Sequence, residues 1–295
     1  MSAAPRGDMS SQSYTVVIPA YRSESTIARA IESAFGAGAQ RVLVIDDGSD
    51  DRTAAVAEAA GAEVLRQENA GASRARARGA ELVSTDFVTF LDADDELLGP
   101  AVGRSIERLL ERDDLVVAAG TVVGVGRDGR ESSFPVRYSP VDTRSLLIRG
   151  FGPWPPAAEV IRVSALREAS AISPVPLHLR FADDYELLIR LSIVGAVDVR
   201  NEATCRYSMA GGKSVTSAAS AIEAKEQIRR HYAHEFGLSL DLMSQKQIKA
   251  AAHVRVARAH LSNGDVVAAS REGLRYVTTD PRGALRRLRR IVVPF

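Results

Sequence analysis

Phe87-Val88-Thr89-Phe90-Leu91-Asp92-Ala93-Asp94-Asp95 is the stretch on which the reading of this chain turns. Its first five residues form a short apolar run of the length and branching found in strands buried on both faces, as in parallel sheets. Three carboxylates follow where the strand gives way to a loop. Like charges gathered this closely repel unless water or a cation compensates them, and carboxylate oxygens are the ligands that hard divalent cations take. The carboxyl end of a strand in an open α/β sheet is also where ligands sit. Two readings stand at this point: a metal-assisted site, or a solvated turn that caps the next helix.

Working outward, residues 14–18 read as a strand and 23–35 as a helix with apolar positions 27, 30, 31, 34 and 35. Strands at 41–45 and 62–65 alternate with helices at 50–60 and 73–83. Continuous apolar strands alternating with helices predict an α/β fold, a mostly parallel sheet covered by helices. Beyond Asp95 the rhythm changes. Residues 97–111 and 183–194 read as helices, and 115–125, 131–138 and 159–163 as strands; Cys205 falls in a further strand. Gly-Phe-Gly-Pro-Trp-Pro-Pro at 150–156 is a loop, because proline lacks the amide hydrogen that helices and central strands need. Past Gly211-Gly212 the pattern is helical, with segments at 218–236, 241–262 and 264–278. A boundary is expected near residue 215, separating an α/β domain over 14–215 from a helical C-terminal extension over 216–295, with a disordered start at 1–13.

The 295 residues have the composition of a soluble globular protein, 45% hydrophobic and 25% charged. A formal net charge of +1 gives no electrostatic case for nucleic acid. The lone cysteine excludes an internal disulfide and a structural zinc site. The longest apolar stretch, 115–125, is too short to span a bilayer, and the polar first dozen residues lack an export signal's apolar core. The expected location is the cytoplasm, with peripheral contact at the inner face of the membrane. That contact rests on the basic end of the chain, where arginines 282, 286, 287, 289 and 290 precede the apolar tip Ile-Val-Val-Pro-Phe. A solvated helix end is the other reading of that segment.

Four polar elements follow the four N-terminal strands: Pro19-Ala20-Tyr21, Asp46-Asp47-Gly48-Ser49, Asn69-Ala70-Gly71 and Asp92-Ala93-Asp94-Asp95. Singly, each is a turn or a cap. Together they lie on one edge of one sheet, where a single ligand touches them all. That ligand is not a dinucleotide, because the first strand does not lead into G-x-G-x-x-G. Gly211-Gly212-Lys213-Ser214 is no P-loop either, since Tyr207 stands where the first glycine would be. A flexible loop over the site suits that segment better.

The ensemble resembles the family 2 glycosyltransferases, inverting enzymes of the GT-A fold that use nucleotide-diphosphate sugars. The likeness runs through Val16-Val17-Ile18-Pro19-Ala20-Tyr21 and Val44-Ile45-Asp46-Asp47-Gly48-Ser49, then Asn69-x-Gly71-x-Ser73-x-Ala75-Arg76 and the D-x-D stretch Phe90-Leu91-Asp92-Ala93-Asp94-Asp95. It resumes at Phe181-Ala182-Asp183-Asp184-Tyr185-Glu186-Leu187. The resemblance implies a nucleotide-binding half over 14–99 and an acceptor half over 100–215. It implies that Pro19, Ala20 and Tyr21 line the nucleotide pocket with Glu24 nearby, and that Asp47 accepts from the N3–H of a uracil or thymine. Asp92 would contact the ribose, Asp94 would hold Mn²⁺ or Mg²⁺ on the diphosphate, and Asp95 would support the loop or the sugar; Ala93 and Arg76 complete the donor-binding set. Asp184 would be the general base. Two departures stand out: Arg22 replaces the asparagine usual after the tyrosine, and Ala75-Arg76-Ala77 replaces Ala-Arg-Asn.

These residue types suit the chemistry. A leaving diphosphate gains negative charge that a divalent cation stabilises, and a carboxylate within hydrogen-bond reach takes the proton of an attacking hydroxyl. The expected function is transfer of a sugar from a UDP- or dTDP-sugar to a glycan, polysaccharide or lipid-linked acceptor. A non-catalytic nucleotide-sugar-binding scaffold and a sugar nucleotidyltransferase are the alternatives. Without the resemblance, Asp183-Asp184 reads first as a pair that caps and charges a helix N-terminus. Arginines 74, 76 and 78 cannot share one helix face, so one or two reach inward and the rest are solvated. Trp154 either stacks on an acceptor sugar or plugs the core.

Overall fold

β1 (Tyr14–Ala20), β2 (Arg41–Asp46), β3 (Glu63–Arg66) and β4 (Phe87–Phe90) pair in parallel in the order β3-β2-β1-β4. They belong to a computed structural model that describes residues 13–126, 128–209, 217–262 and 264–285. The helices between them are α1 (Ile27–Gly36), α2 (Thr53–Ala59) and α3 (Ala72–Glu81). Successive side chains of β1 serve opposite faces, as the strand period requires. Val16 and Ile18 pack in one core layer with Ile27 and Ile31 of α1, whereas Val17 packs in the other with Ala75 of α3. Burial of every β1 residue explains why the strand is apolar without alternation. Gly79 lets α3 lie against β1, since a Cβ there would stand 2.3 Å from a Val17 methyl.

The second half of the sheet is mixed. The chain continues through β5 (Glu96–Leu97), α4 (Gly99–Glu111), β6 (Leu115–Val125), β7 (Glu131–Phe134) and α5 (Thr143–Arg149). It then runs through β8 (Glu159–Arg162), α6 (Val163–Ala171), α7 (Asp183–Val194) and β9 (Ala196–Ser208). β8 inserts antiparallel between β4 and β6, and β9 runs parallel to β6, giving the order β4-β8-β6-β9-β5 with β7 paired to β6. α4 is tied to β9 by Arg108–Asp198 at 3.1 Å and by the Arg104–Glu202 ion pair. Cys205 on β9 is buried.

Several boundaries differ from the sequence reading. The helix expected from 97 begins at Gly99, because Glu96 and Leu97 pair with Arg206 and Cys205 of β9. The helix expected over 50–60 begins at Thr53, because the Asp51 side chain accepts from the Thr53 amide and turns the chain there. The strand expected over 131–138 ends at Phe134, before Pro135. α5 and α6 were absent from the reading, although Asp142 and Ser145 form a capping box that opens α5.

The chain divides into two compact units, Met1–Met209 and Ala210–Phe295. The second contains helices Ala218–Glu235, Gln245–Ser262 and Val266–Thr279. Ile228, Tyr232, Ile248 and Ala269 are buried there, and Glu226 pairs with Arg229 at 2.6 Å in its interior. No helix among the described residues is long and apolar enough to cross a membrane. The N-terminal dozen residues, Gly211-Gly212-Lys213-Ser214, the expected boundary near 215 and the basic end from Arg286 lie outside the described residues.

Candidate active site

The parallel register brings the strand ends together. Ala20 of β1 is opposite Asp46 of β2, the Asp47 amide donates to the Ala20 carbonyl at 2.8 Å, and the Leu91 amide after β4 donates to the Val17 carbonyl at 3.0 Å. Pro19, Ala20, Asp47 and Asp92 therefore all emerge on the carboxyl edge of the sheet.

Asp47 is almost wholly buried and works within the protein. Its Oδ1 accepts from Gln67 Nε2 and the Ala70 amide, and its Oδ2 from the Gly71 amide, each at 2.8 Å. It therefore shapes the loop from β3 into α3. Gly48 sits at φ 76°, and a Cβ there would stand 3.0 Å from the Asn69 amide nitrogen, so glycine is needed for this loop to close on the turn.

α3 starts from that loop, and of its three arginines only Arg76 turns inward; Arg74 and Arg78 are exposed. Arg76 Nη2 donates to Asp92 Oδ1 at 2.8 Å and Nη1 donates to Asp183 Oδ2 at 2.9 Å. One planar fork thus joins the loop after β4 to the start of α7, a geometry that lysine cannot supply. Burial alone would lower the Arg76 pKa, but the charges of Asp92 and Asp183 outweigh it and the group stays protonated. Its Nε is buried and has no partner among the described residues. Ala182, at φ 64°, turns the chain immediately before Asp183 and Asp184.

Asp95 closes the other side of the loop. Its carboxylate accepts from the Ser208 amide at 2.7 Å, fastening the loop to the end of β9. Burial, with the neighbouring charge of Asp92, pushes its carboxyl up to about 8. Ala93 is buried and Asp94 is half-buried. Glu24 lies on the exposed rim, where its side chain accepts from the Arg52 amide at 3.1 Å. Arg22 pairs with Asp50 at 2.6 Å and lies over the Tyr21 ring.

Asp184 lines a recess with Gly152, Trp154, Glu159, Tyr185 and Leu188. Glu159 was not singled out from the sequence. It is buried on β8 and accepts from Trp154 Nε1 at 2.6 Å. Burial pushes its carboxyl up to about 8; the indole N–H pulls it back and the charge of Asp184 adds to the rise. The signal in the sequence was a lone acid in an otherwise apolar strand, Glu159-Val160-Ile161.

Among the described residues, no cluster of three or more acidic, histidine or cysteine side chains is arranged to hold a metal by itself. A single carboxylate such as Asp94 would hold a divalent cation only together with phosphate oxygens and waters, the mode usual for Mg²⁺ at nucleotide sites.

A parallel half, a mixed half and carboxylates on the shared strand edge define the GT-A glycosyltransferase fold. Residues 15–162, half of the chain, match the family described as Glycosyl transferase family 2, and the chain belongs to that family. Among curated proteins it is 34% identical over 116 residues to the uncharacterized glycosyltransferase YibD of Escherichia coli (strain K12), covering 37% of this chain and 33% of that protein. It is 36% identical over 100 residues to the succinoglycan biosynthesis protein ExoU of Rhizobium meliloti (strain 1021), covering 32% and 29%. These matches span about a third of the relatives' length. Among solved structures, TarS 1–349 of S. aureus in complex with UDP-GlcNAc superposes with a TM-score of 0.59 at 18% identity, covering 85% of this chain and 73% of that one. Glucosyl-3-phosphoglycerate synthase of Mycobacterium tuberculosis, solved with Mn²⁺, UDP and phosphoglyceric acid, gives 0.53 at 22% identity, covering 78% and 80%. Both likenesses establish the fold.

Proposed function

We propose that this protein is an inverting glycosyltransferase that moves a sugar from a UDP- or dTDP-sugar to the hydroxyl of a glycan or lipid-linked acceptor. The observation that carries the reading is the Arg76 fork, which joins Asp92 and Asp183 and so sets the donor loop beside Asp184. Pro19, Ala20 and Tyr21 line the nucleotide pocket, and Asp47 orders its rim while one lone-pair direction on Oδ2 stays available to a base N3–H. Asp92 keeps Oδ2 for the ribose while Oδ1 is held by Arg76. A Mn²⁺ or Mg²⁺ bound at Asp94 supplies Lewis-acid stabilisation of the leaving diphosphate. Asp184 takes the proton from the acceptor hydroxyl as it attacks the anomeric carbon on the face opposite the diphosphate.

The acceptor class is supported by likeness to a succinoglycan biosynthesis protein. Membrane contact is supported by the helix Val266–Thr279, where Val266, Val267 and Leu274 are exposed beside exposed Arg271 and Arg275. The test is Asp184→Asn assayed against a panel of nucleotide sugars and acceptors. Transfer should be abolished while UDP affinity stays within about twofold, since a general base contributes about 10²–10⁴-fold to rate and little to ground-state binding. Unchanged turnover would overturn the base assignment.

A further inference from the structure

The segment between α6 and α7, residues 172–182, is tied down along its length by buried charges of α7. Arg190 donates from Nε to the Ala169 carbonyl at 2.6 Å, from Nη2 to the Ile172 carbonyl at 2.7 Å and from Nη1 to the Pro174 carbonyl. Glu186, one turn earlier and also buried, accepts from the Leu177 amide at 2.8 Å. The far end of the segment meets α3, where Ser73 Oγ donates to the Leu179 carbonyl at 3.1 Å. Charge-assisted bonds of this kind hold a loop in one place, and the residue they present is Arg180. Its guanidinium lies over the Phe181 ring, 5.9 Å from the centroid. Its side chain rests against Gly71, where a Cβ would stand 3.8 Å from Nε and 3.9 Å from Cγ. Arg180 is exposed and donates to no group among the described residues. Gly71 is also the residue whose amide donates to Asp47 Oδ2 at 2.8 Å, so a guanidinium and a carboxylate flank one glycine. We infer that Arg180 is a specificity-determining residue that reads the nucleotide base, donating to the O4 carbonyl of a uracil or thymine whose N3–H Asp47 accepts.

The inference rests on the transferase reading, which sets a base against Asp47 and its ribose against Asp92. Uracil and thymine carry a donor, N3–H, beside an acceptor, O4, and a carboxylate beside a guanidinium is the complement of that edge. Cytosine presents the reverse, an acceptor at N3 beside an amino donor at N4. A site built for one edge rejects the other because its polar groups are then left unpaired. Position selects O4 over O2. Asp92 follows β4, Asp47 follows β2, and Gly71 belongs to the loop leaving β3, which lies on the side of β2 away from β4. The ribose is joined to N1, across the ring from C4, so a group on the β3 side meets O4. Stacking on Phe181 fixes the guanidinium plane before the nucleotide arrives and leaves the N–H donors at its edge for the ligand.

The test is calorimetric titration of the full chain, with Mn²⁺ present, by UDP, dTDP, CDP and 4-thio-UDP. The wild type should prefer UDP and dTDP to CDP, and should bind 4-thio-UDP more weakly than UDP because sulfur is a weak acceptor. Arg180→Ala, at an exposed position, should leave the melting temperature within a few degrees. It should lower UDP and dTDP affinity about five- to tenfold, keep CDP within about twofold, and bring 4-thio-UDP level with UDP. Equal losses for UDP and CDP would overturn the inference, because a charge acting only on the diphosphate does not distinguish the bases. Wild-type affinity for UDP in the variant would overturn it as well. The transferase reading fails separately: a chain that binds UDP with this base preference but transfers sugar to no acceptor would lose that reading and keep Arg180 as the base reader. A wild type that binds none of the four nucleotides would remove both.

Discussion

Asp92 follows a strand and Asp183 opens a helix far along the chain, yet both are bonded by one guanidinium, at 2.8 and 2.9 Å from Arg76. The two acidic motifs are therefore one structural unit. Neither carboxylate is an independent cap, because each depends on a cation buried between them.

Removing that cation leaves two partly buried carboxylates facing each other. Arg76→Ala should lower stability by about 3 kcal/mol, the usual cost of stripping one partner from a buried ion pair. Arg76→Lys keeps the charge but not the fork, and should recover part of the stability while kcat/KM for the donor stays at least about tenfold down. Urea unfolding beside steady-state kinetics separates the two effects. Full activity in Arg76→Lys would show that charge alone suffices.

Asp94 has a different role and a different signature. Asp94→Ala should abolish the Mn²⁺-dependent part of UDP binding and leave the melting temperature of the ligand-free protein within a few degrees, as for a partly exposed loop residue. Isothermal titration with and without EDTA reads the difference. Metal-enhanced affinity that survives the substitution would count against Asp94 as a ligand.

Asp47 tests how much of nucleotide recognition is indirect. An amide in its place sets an NH₂ group against a backbone or side-chain donor, leaving a buried N–H without an acceptor, so Asp47→Asn should cost about 1–3 kcal/mol. Because the loop it holds opens α3, which carries Arg76, UDP binding should weaken with it. Faster hydrogen exchange at Ala70 and Gly71 would establish the route. Wild-type exchange with weakened UDP binding would point instead to direct contact with the base.

The first, second and fourth strands were legible because each is an apolar run closed by a turn, and the same runs place Asp47 and Asp92 on one edge. β9 was harder to see, although Asp198, Arg200, Glu202 and Arg206 share one parity along it. Asp198 and Glu202 meet Arg108 and Arg104 of α4 rather than open water, and the pairing is not visible in either segment alone. The Arg76 bridge was half legible: the resemblance picks out Arg76 for the donor site, but nothing in the sequence ties it to Asp183. Glu159 was missed because a single acid in a hydrophobic strand acquires its meaning only from Trp154, which a proline-rich loop returns to it.

Asp95 and Glu159 should also make stability depend on pH in an unusual direction. Each carboxyl is pushed up to about 8 in the folded chain, whereas in the unfolded chain both ionise near 4. Between about pH 4 and pH 8 the folded state keeps protons that the unfolded state has released. The slope of stability against pH from these groups is therefore negative: their contribution is intact below about pH 4 and is lost as pH rises through about 8. Asp95→Asn still offers an oxygen to the Ser208 amide, and Glu159→Gln still offers one to the Trp154 indole, but neither amide titrates. The double variant, compared with the wild type by urea unfolding, should gain on the order of a few kcal/mol at pH 8.5 relative to pH 5. The carboxylates paired at the surface, such as Asp50 and Glu63, titrate alike in both proteins and cancel in the difference. An identical pH slope in the two proteins would mean that both acids are already ionised in the folded state, and that their burial is relieved by groups other than those seen around them.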